Sequence, residues 1–133
     1  MDHATETAED YVEAIADLIG QQGSCRIADL SRRFAVTHVT VTRIVSRLHA
    51  EGLVDTEPYR PVRLTAKGKR LADRCRRRHE IVVRFLIALG VEPQTAAIDA
   101  EGIEHHVSAT TLAKFEAFTQ TQNRSPVQPD NDS

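Results

Sequence analysis

Cysteine is scarce in this 133-residue chain: Cys25 and Cys75 stand fifty residues apart, and neither belongs to a Cys-x-x-Cys pair. That excludes a disulfide framework and a thiolate zinc knuckle, and two free thiols are expected. Long hydrophobic runs are also missing, although 41% of the residues are hydrophobic. No stretch approaches the ~20 consecutive apolar residues of a membrane span. The opening "MDHATETAED" is acidic and has no apolar h-region, so no signal peptide is expected and the location read from the sequence is cytoplasmic. Internal repeats are absent too. The length suits one domain, or a small domain with an appendage.

Lys and Arg are absent from residues 1–24, which carry six acids. Residues 25–84 reverse this, with fifteen Lys/Arg against six acids, and residues 85–133 return to two against seven. The overall charge of −2 therefore hides a basic middle of net +9 between acidic ends of −6 and −5. One segment facing a polyanion and two able to converge on cations is the reading this pattern suggests.

Apolar spacing at Tyr11, Ile15, Leu18 and Ile19 predicts a first helix from near Thr5 or Thr7 to about Gln22, ended by Gly23. "TAED" (7–10) has the form of a capping box. Residues 25–54 then predict a short helix on Ile27, Leu30 and Phe34, a tight turn, and a longer helix capped by Thr37. The longer helix turns Val41, Ile44, Val45 and Leu48 inward and ends at Gly52. "LVDTEPYRPVRLTAKG" (53–68) predicts two short strands around a Pro-bounded turn, with Thr65 capping the next helix. Three helices followed by a β-hairpin describe a winged helix-turn-helix. A long helix from Ala66 to about Leu89, another over roughly 94–106 and, after a Ser108 cap, a last one over 109–120 complete the folded chain. The expected fold is mainly α: a winged helix-turn-helix over 1–72, an all-helical metal-binding and dimerisation domain over 73–122, and a disordered tail over 123–133.

In a helix-turn-helix the first turns of the second helix face base edges in the major groove. Here those positions hold Thr37, His38, Val39, Thr40 and Arg43. Thr40 and Arg43 suit base or phosphate contacts, and Val39 suits a thymine methyl. Arg32, Arg33, Arg47, Arg60 and Arg63, with Tyr59, are placed to contact the DNA backbone. A protein-interaction winged helix is the competing reading of the same pattern.

The acidic ends pose a second question. "EGIEHH" (101–106) sets Glu101, Glu104 and His105 at i, i+3 and i+4, on one face of the predicted helix, with His106 pointing away. Two carboxylates so close repel unless a positive charge lies between them or one keeps a proton. Asp10 and Glu13 form a second acidic pair one turn apart, and His79 in "RRHE" offers another imidazole. Each feature alone has a plain explanation as a solvated helix face. Together, four carboxylates and two imidazoles without a thiolate favour Mn(II) or Fe(II), and six ligands suit a pair of ions.

The segments "EDYVEAI" (9–15), "VTHVTVTRIVSRLHAEGLV" (36–54), "RLTAKGKRLA" (63–72), "RRHEIVVRFL" (77–86) and "DAEGIEHHVS" (99–108) resemble the diphtheria-toxin-repressor-like, metal-dependent transcription regulators. They do so in the family's order, over about residues 8–120, and most closely in its manganese-responsive branch. The resemblance implies that Asp10, Glu13, His79, Glu101, Glu104 and His105 hold a binuclear Mn(II) centre, with two ions per subunit. The iron-responsive branch has Met in place of Asp10 and Cys in place of Glu101. The resemblance also implies a homodimer, a double-stranded DNA operator, and repression of manganese-uptake genes when the metal is bound. It implies no enzymatic activity, no organic small-molecule substrate and no membrane. His38-Val39 stands where relatives commonly have a Pro, so the operator does not carry over from a relative. The alternatives are an Fe(II) or mixed Fe/Mn sensor of the same family, and a metal-independent MarR-like regulator. A carboxylate-bridged di-metal oxidase is a weaker third, because the paired Glu-x-x-His motifs of that class are absent.

Overall fold

A computed structural model describes residues 3–124. The elements are α1 (His3–Gln22), α2 (Ile27–Phe34), α3 (His38–Ala50), β1 (Val54–Asp55), β2 (Arg63–Leu64), α4 (Ala66–Ala88), α5 (Pro93–Ile103) and α6 (Ala109–Arg124). The chain divides into two compact units between Cys75 and Arg76, inside α4. Of the stretch expected to be a disordered tail, Asn123 and Arg124 belong to α6, and residues 125–133 lie outside the described residues.

The N-terminal unit is built as its local signals dictate. α1 begins before Thr7, so Thr7–Asp10 lie within the helix and the expected capping box does not form. α2 starts at a backbone N–H of Arg26 donated to the Asp29 carboxylate at 2.9 Å, and ends at Ala35 in the left-handed region (φ 54°). α3 is capped as expected: the Thr37 hydroxyl accepts from the Thr40 N–H at 3.1 Å. Gly52 follows α3 at φ 78°, a conformation that costs glycine nothing.

β1 and β2 pair antiparallel, Val54 with Leu64 and Asp55 with Arg63. The Val62 N–H donates to the Cys25 carbonyl at 2.8 Å, pinning the base of this hairpin to the connection between α1 and α2. Thr65 caps α4 by accepting from the Gly68 N–H at 3.0 Å while donating to the Gly52 carbonyl at 2.7 Å. Behind these elements Val12, Ile15, Leu30, Val41, Leu48, Val54 and Val62 form a closed core, with Tyr11 stacked on Phe34 at 4.2 Å. Each fully buried aliphatic side chain contributes about 1.5–3 kcal/mol.

The C-terminal unit packs Val82 of α4, Ala100 of α5 and Leu112 of α6 into a second core, joined by Ile81, Leu86, Ile103 and Phe115. Phe85 stacks on Phe115 at 4.0 Å and meets Phe118 edge-on at 5.7 Å. Pro93 opens α5, and the Ser108 hydroxyl caps α6 by accepting from the Thr111 N–H at 3.1 Å. α5 stops at Ile103, short of the expected 106. The His105 and His106 N–H groups bond the Gly102 and Ile103 carbonyls, three residues back, so the chain tightens into a turn there. Glu104 and His105 therefore sit on that turn rather than along a continuous helical face.

Candidate nucleic-acid interface and metal centre

In the N-terminal unit α3 offers its first turns to solvent. His38, Arg43 and Arg47 are exposed and Val39 is 66% exposed, while Thr37 and Thr40 are joined through their hydroxyls at 3.0 Å. The cap thus fixes the rotamers of two residues expected to face DNA. Arg32 and Arg33 of α2 are held by Asp29 (2.6 Å) and Asp17 (3.3 Å) in exposed ion pairs, each worth under about 1 kcal/mol and readily exchanged for a phosphate. Arg63 lies on the exposed side of β2, and Arg60 of the hairpin tip is 3.4 Å from Glu57. The eleven residues expected to contact DNA, Tyr59 among them, all belong to this unit.

The sequence reading missed Thr42 and Ser46. They line a cleft of about 450 Å³ between α3 and the hairpin tip, whose other wall is formed by Thr56–Arg60. Their spacing of four marks one face of α3, but only the folded hairpin shows what that face opposes.

In the C-terminal unit the cluster read from "RRHE" and "EGIEHH" assembles. His79 Nδ1 is 2.6 Å from Glu104 Oε1 and 3.7 Å from Glu101 Oε2. One ligand atom from each of the three lies within 4.8 Å of the others. His105 Nε2 is 3.9 Å from the other Glu104 oxygen. Glu104 is 2% exposed and His105 is equally buried, whereas the Glu101 side chain is 67% exposed. His106 is exposed, on the side away from these groups as expected.

A carboxylate removed from water loses solvation that its neighbours must replace, and Glu104 has two imidazoles close by for that purpose. Neutral imidazole nitrogens and carboxylate oxygens also make a donor set that fits a hard to borderline divalent cation. Both thiols, by contrast, are buried, and neither is in a disulfide. Burial and the nearby Asp29 carboxylate push the Cys25 thiol up to about 11.

Arg78 is a second residue that the sequence reading passed over, as part of a charge run. It donates to the Glu104 carbonyl, and at 3.4 Å to the Val107 carbonyl, and so braces the turn that carries Glu104 and His105. Asp10 and Glu13 lie in the other unit, on α1, one turn apart and half-buried.

A family model described as the N-terminal DNA binding domain of the iron dependent repressors matches residues 3–62. Its companion, the metal binding and dimerisation domain, matches residues 65–130. The chain belongs to the iron dependent repressor family. It therefore joins a family of transcription repressors, not enzymes, with a DNA-binding and a metal-binding, dimerising part.

The transcriptional regulator MntR of Escherichia coli O157:H7 is 48% identical over 118 residues, covering 89% of this chain and 76% of that protein. The HTH-type transcriptional regulator MntR of Bacillus subtilis is 36% identical over 116 residues, covering 87% and 82%. Among solved structures, a manganese-dependent transcriptional repressor in complex with manganese superposes with a TM-score of 0.77 at 30% identity, covering 85% of this chain and 52% of that one. IdeR of T. acidophilum gives 0.71 at 27% identity, covering 83% and 53%. The chain spans about half the length of these solved chains. Among the described residues no helix is long and apolar enough to cross a membrane.

Proposed function

We propose that the chain is a Mn(II)-responsive, DNA-binding repressor of manganese-uptake genes, acting as a homodimer in the cytoplasm. In this reading two Mn(II) ions per subunit are held by Asp10, Glu13, His79, Glu101, Glu104 and His105. The observation that carries it is the buried Glu104 carboxylate facing His79, with Glu101 beside them and no thiolate among the donors. The manganese complex among the similar structures and the two MntR relatives support manganese over iron. The solvent-exposed apolar residues Ile87, Leu89, Ile98 and Phe118 support self-association of the C-terminal unit.

In this reading a bound divalent cation supplies the positive charge that a ligand set of four carboxylates requires. The carboxylates then hold the ligand-bearing segments of α1, α4 and the α5 turn in one arrangement instead of repelling one another. In the dimer that arrangement sets the separation of the two α3 helices, which suits half-sites about 34–36 Å apart. Metal and operator strengthen each other by the same factor, on the order of 1–3 kcal/mol for such linkage. Acidification opposes the response, because His79 and His105 must be neutral to act as ligands.

The test is a titration of the chelated chain with Mn(II), anaerobic Fe(II), Zn(II) and Co(II), following binding to DNA from around its own gene. Mn(II) should switch binding on at about two ions per subunit, with Zn(II) bound but weakly activating. DNA binding indifferent to every metal would overturn the proposal, and a response to Fe(II) alone would move the chain to the iron-sensing reading.

A further inference from the structure

The hairpin tip carries an aromatic side chain in a conformation that the backbone resists. The Arg60 N–H donates to the Glu57 carbonyl at 3.1 Å, closing a four-residue turn over Glu57-Pro58-Tyr59-Arg60. Tyr59 sits at φ 66° and Pro58 is confined to negative φ, which makes this a type II turn. The third position of that turn favours glycine or asparagine, and a bulky residue there is strained. Tyr59 is also 100% exposed, so its ring gains nothing from the fold. Strain retained at a solvent-exposed aromatic points to a role outside folding.

The cleft beside it indicates the partner. α3 forms one wall, with Thr42, Val45 and Ser46, and the tip forms the other, with Thr56–Arg60; Arg26 also lines the space. With α3 in a major groove, the feature that separates it from the adjoining minor groove is a single sugar-phosphate strand. The cleft has hydroxyls on one side and Arg26 and Arg60 along its lining; Arg60 faces the Glu57 carboxylate at 3.4 Å in an exposed pair that a phosphate can replace, so the cleft suits that strand and the tip beyond it enters the minor groove.

We propose that Tyr59 is a DNA-reading residue of the wing. It lays its ring in the minor groove flanking the site read by α3, and favours A·T pairs there. The guanine 2-amino group projects into that groove and would meet the ring, whereas A·T pairs leave the space open. Such an aromatic wedge beside an arginine is a common minor-groove device. The inference rests on the DNA-binding function proposed above and adds a contact that α3 does not make.

The test is a parallel selection of duplexes from a random pool, using the full chain, Tyr59→Phe and Tyr59→Gly, each with Mn(II). The wild type and Tyr59→Phe should enrich a shared core plus A·T pairs on its flanks. Tyr59→Gly should select the core alone and bind the wild-type duplex about tenfold more weakly. Its thermal midpoint should equal or exceed that of the wild type, since glycine relieves the turn. Exchanging a flanking A·T pair for G·C should weaken the wild type, and inosine·C should restore binding.

If Tyr59→Gly selects the same flanks with the same affinity, the inference fails. It also fails if Tyr59→Gly unfolds at a lower temperature, because the ring would then serve the fold. A wild type that enriches no duplex with any metal overturns the DNA-binding reading itself, and this inference with it.

Discussion

Gly68, in the first turns of α4, provides a sharp test of how the DNA-binding unit is packed. A Cβ added there would lie 2.0 Å from the Leu53 carbonyl oxygen, 3.1 Å from its carbon and 3.2 Å from Leu64 Cδ2. On propensity alone Gly68→Ala should stabilise the helix by about 1 kcal/mol. The clash opposes this, because the oxygen it meets is backbone, already accepting from the Thr65 N–H at 3.0 Å. To open the contact, α4 must withdraw from the segment joining α3 to β1. That movement strains or breaks the Thr65 N–H bond and the Thr65 hydroxyl bond to Gly52, at roughly 1 kcal/mol each. Overpacking adds about 1–3 kcal/mol, so the net loss is about 2–4 kcal/mol.

Gly20, near the end of α1, is the control: its added Cβ meets nothing within 4 Å, so Gly20→Ala should gain about 0.5–1 kcal/mol. Urea unfolding followed by far-UV circular dichroism reads both, as midpoint shifts of opposite sign. A Gly68→Ala protein as stable as the wild type would refute the packing argument.

Three other outcomes follow from the site and the core. Glu104→Gln should remove the thermal stabilisation that the wild type gains from Mn(II), about 2.7 kcal/mol at a hundred times the dissociation constant; an undiminished shift would show that Glu104 is no ligand. Arg43→Ala should lower the slope of log K against log salt by about one and weaken binding about tenfold, measured by fluorescence anisotropy; an unchanged slope with unchanged affinity would place Arg43 off the DNA. Cys25, wholly buried and pushed up to about 11, should react with Ellman's reagent at pH 8 at least about a hundredfold more slowly than an ordinary thiol. Because the folded state holds that proton more tightly than the unfolded state, the stability it confers is intact below pH 9. It declines towards pH 11 by up to about 2–3 kcal/mol, a loss that Cys25→Ala should not show.

What could be read in the sequence was whatever its local chemistry decides. Thr37, Thr65 and Ser108 cap helices because a hydroxyl three residues before a free N–H needs no tertiary partner. Pro58 and Pro61 delimit the hairpin for the same local reason. The end of α5 was not legible, because 101–106 keeps helical spacing while the backbone tightens after Gly102. Nor was the start of α1, where the residues before Thr5 carry no apolar pattern to mark it. Within the candidate site, the residue types were visible, but the 2.6 Å contact between His79 and Glu104 joins residues 25 apart and depends on how α4 packs against α5. The bracing role of Arg78 was hidden in the basic stretch of residues 74–78, where only folding distinguishes a surface charge from a part-buried donor. Nothing in the sequence marks Gly68, because its close approach to the Leu53 carbonyl exists only in the folded unit.

The hydrogen bond from Val62 to the Cys25 carbonyl has a consequence for how the DNA-binding unit comes into being. It closes a loop of roughly 37 residues that contains all of α2, α3 and β1. Closing such a loop costs about 3 kcal/mol of chain entropy, more than one hydrogen bond of about 1 kcal/mol returns. The closure is therefore sustained only when Leu30, Val41, Leu48 and Val62 pack together. The helix-turn-helix is thus no separable cassette: its local helices form early, and the wing is the late step that makes the unit cooperative. A fragment ending before β2 would keep every residue of α3 and lose the topology that presents it.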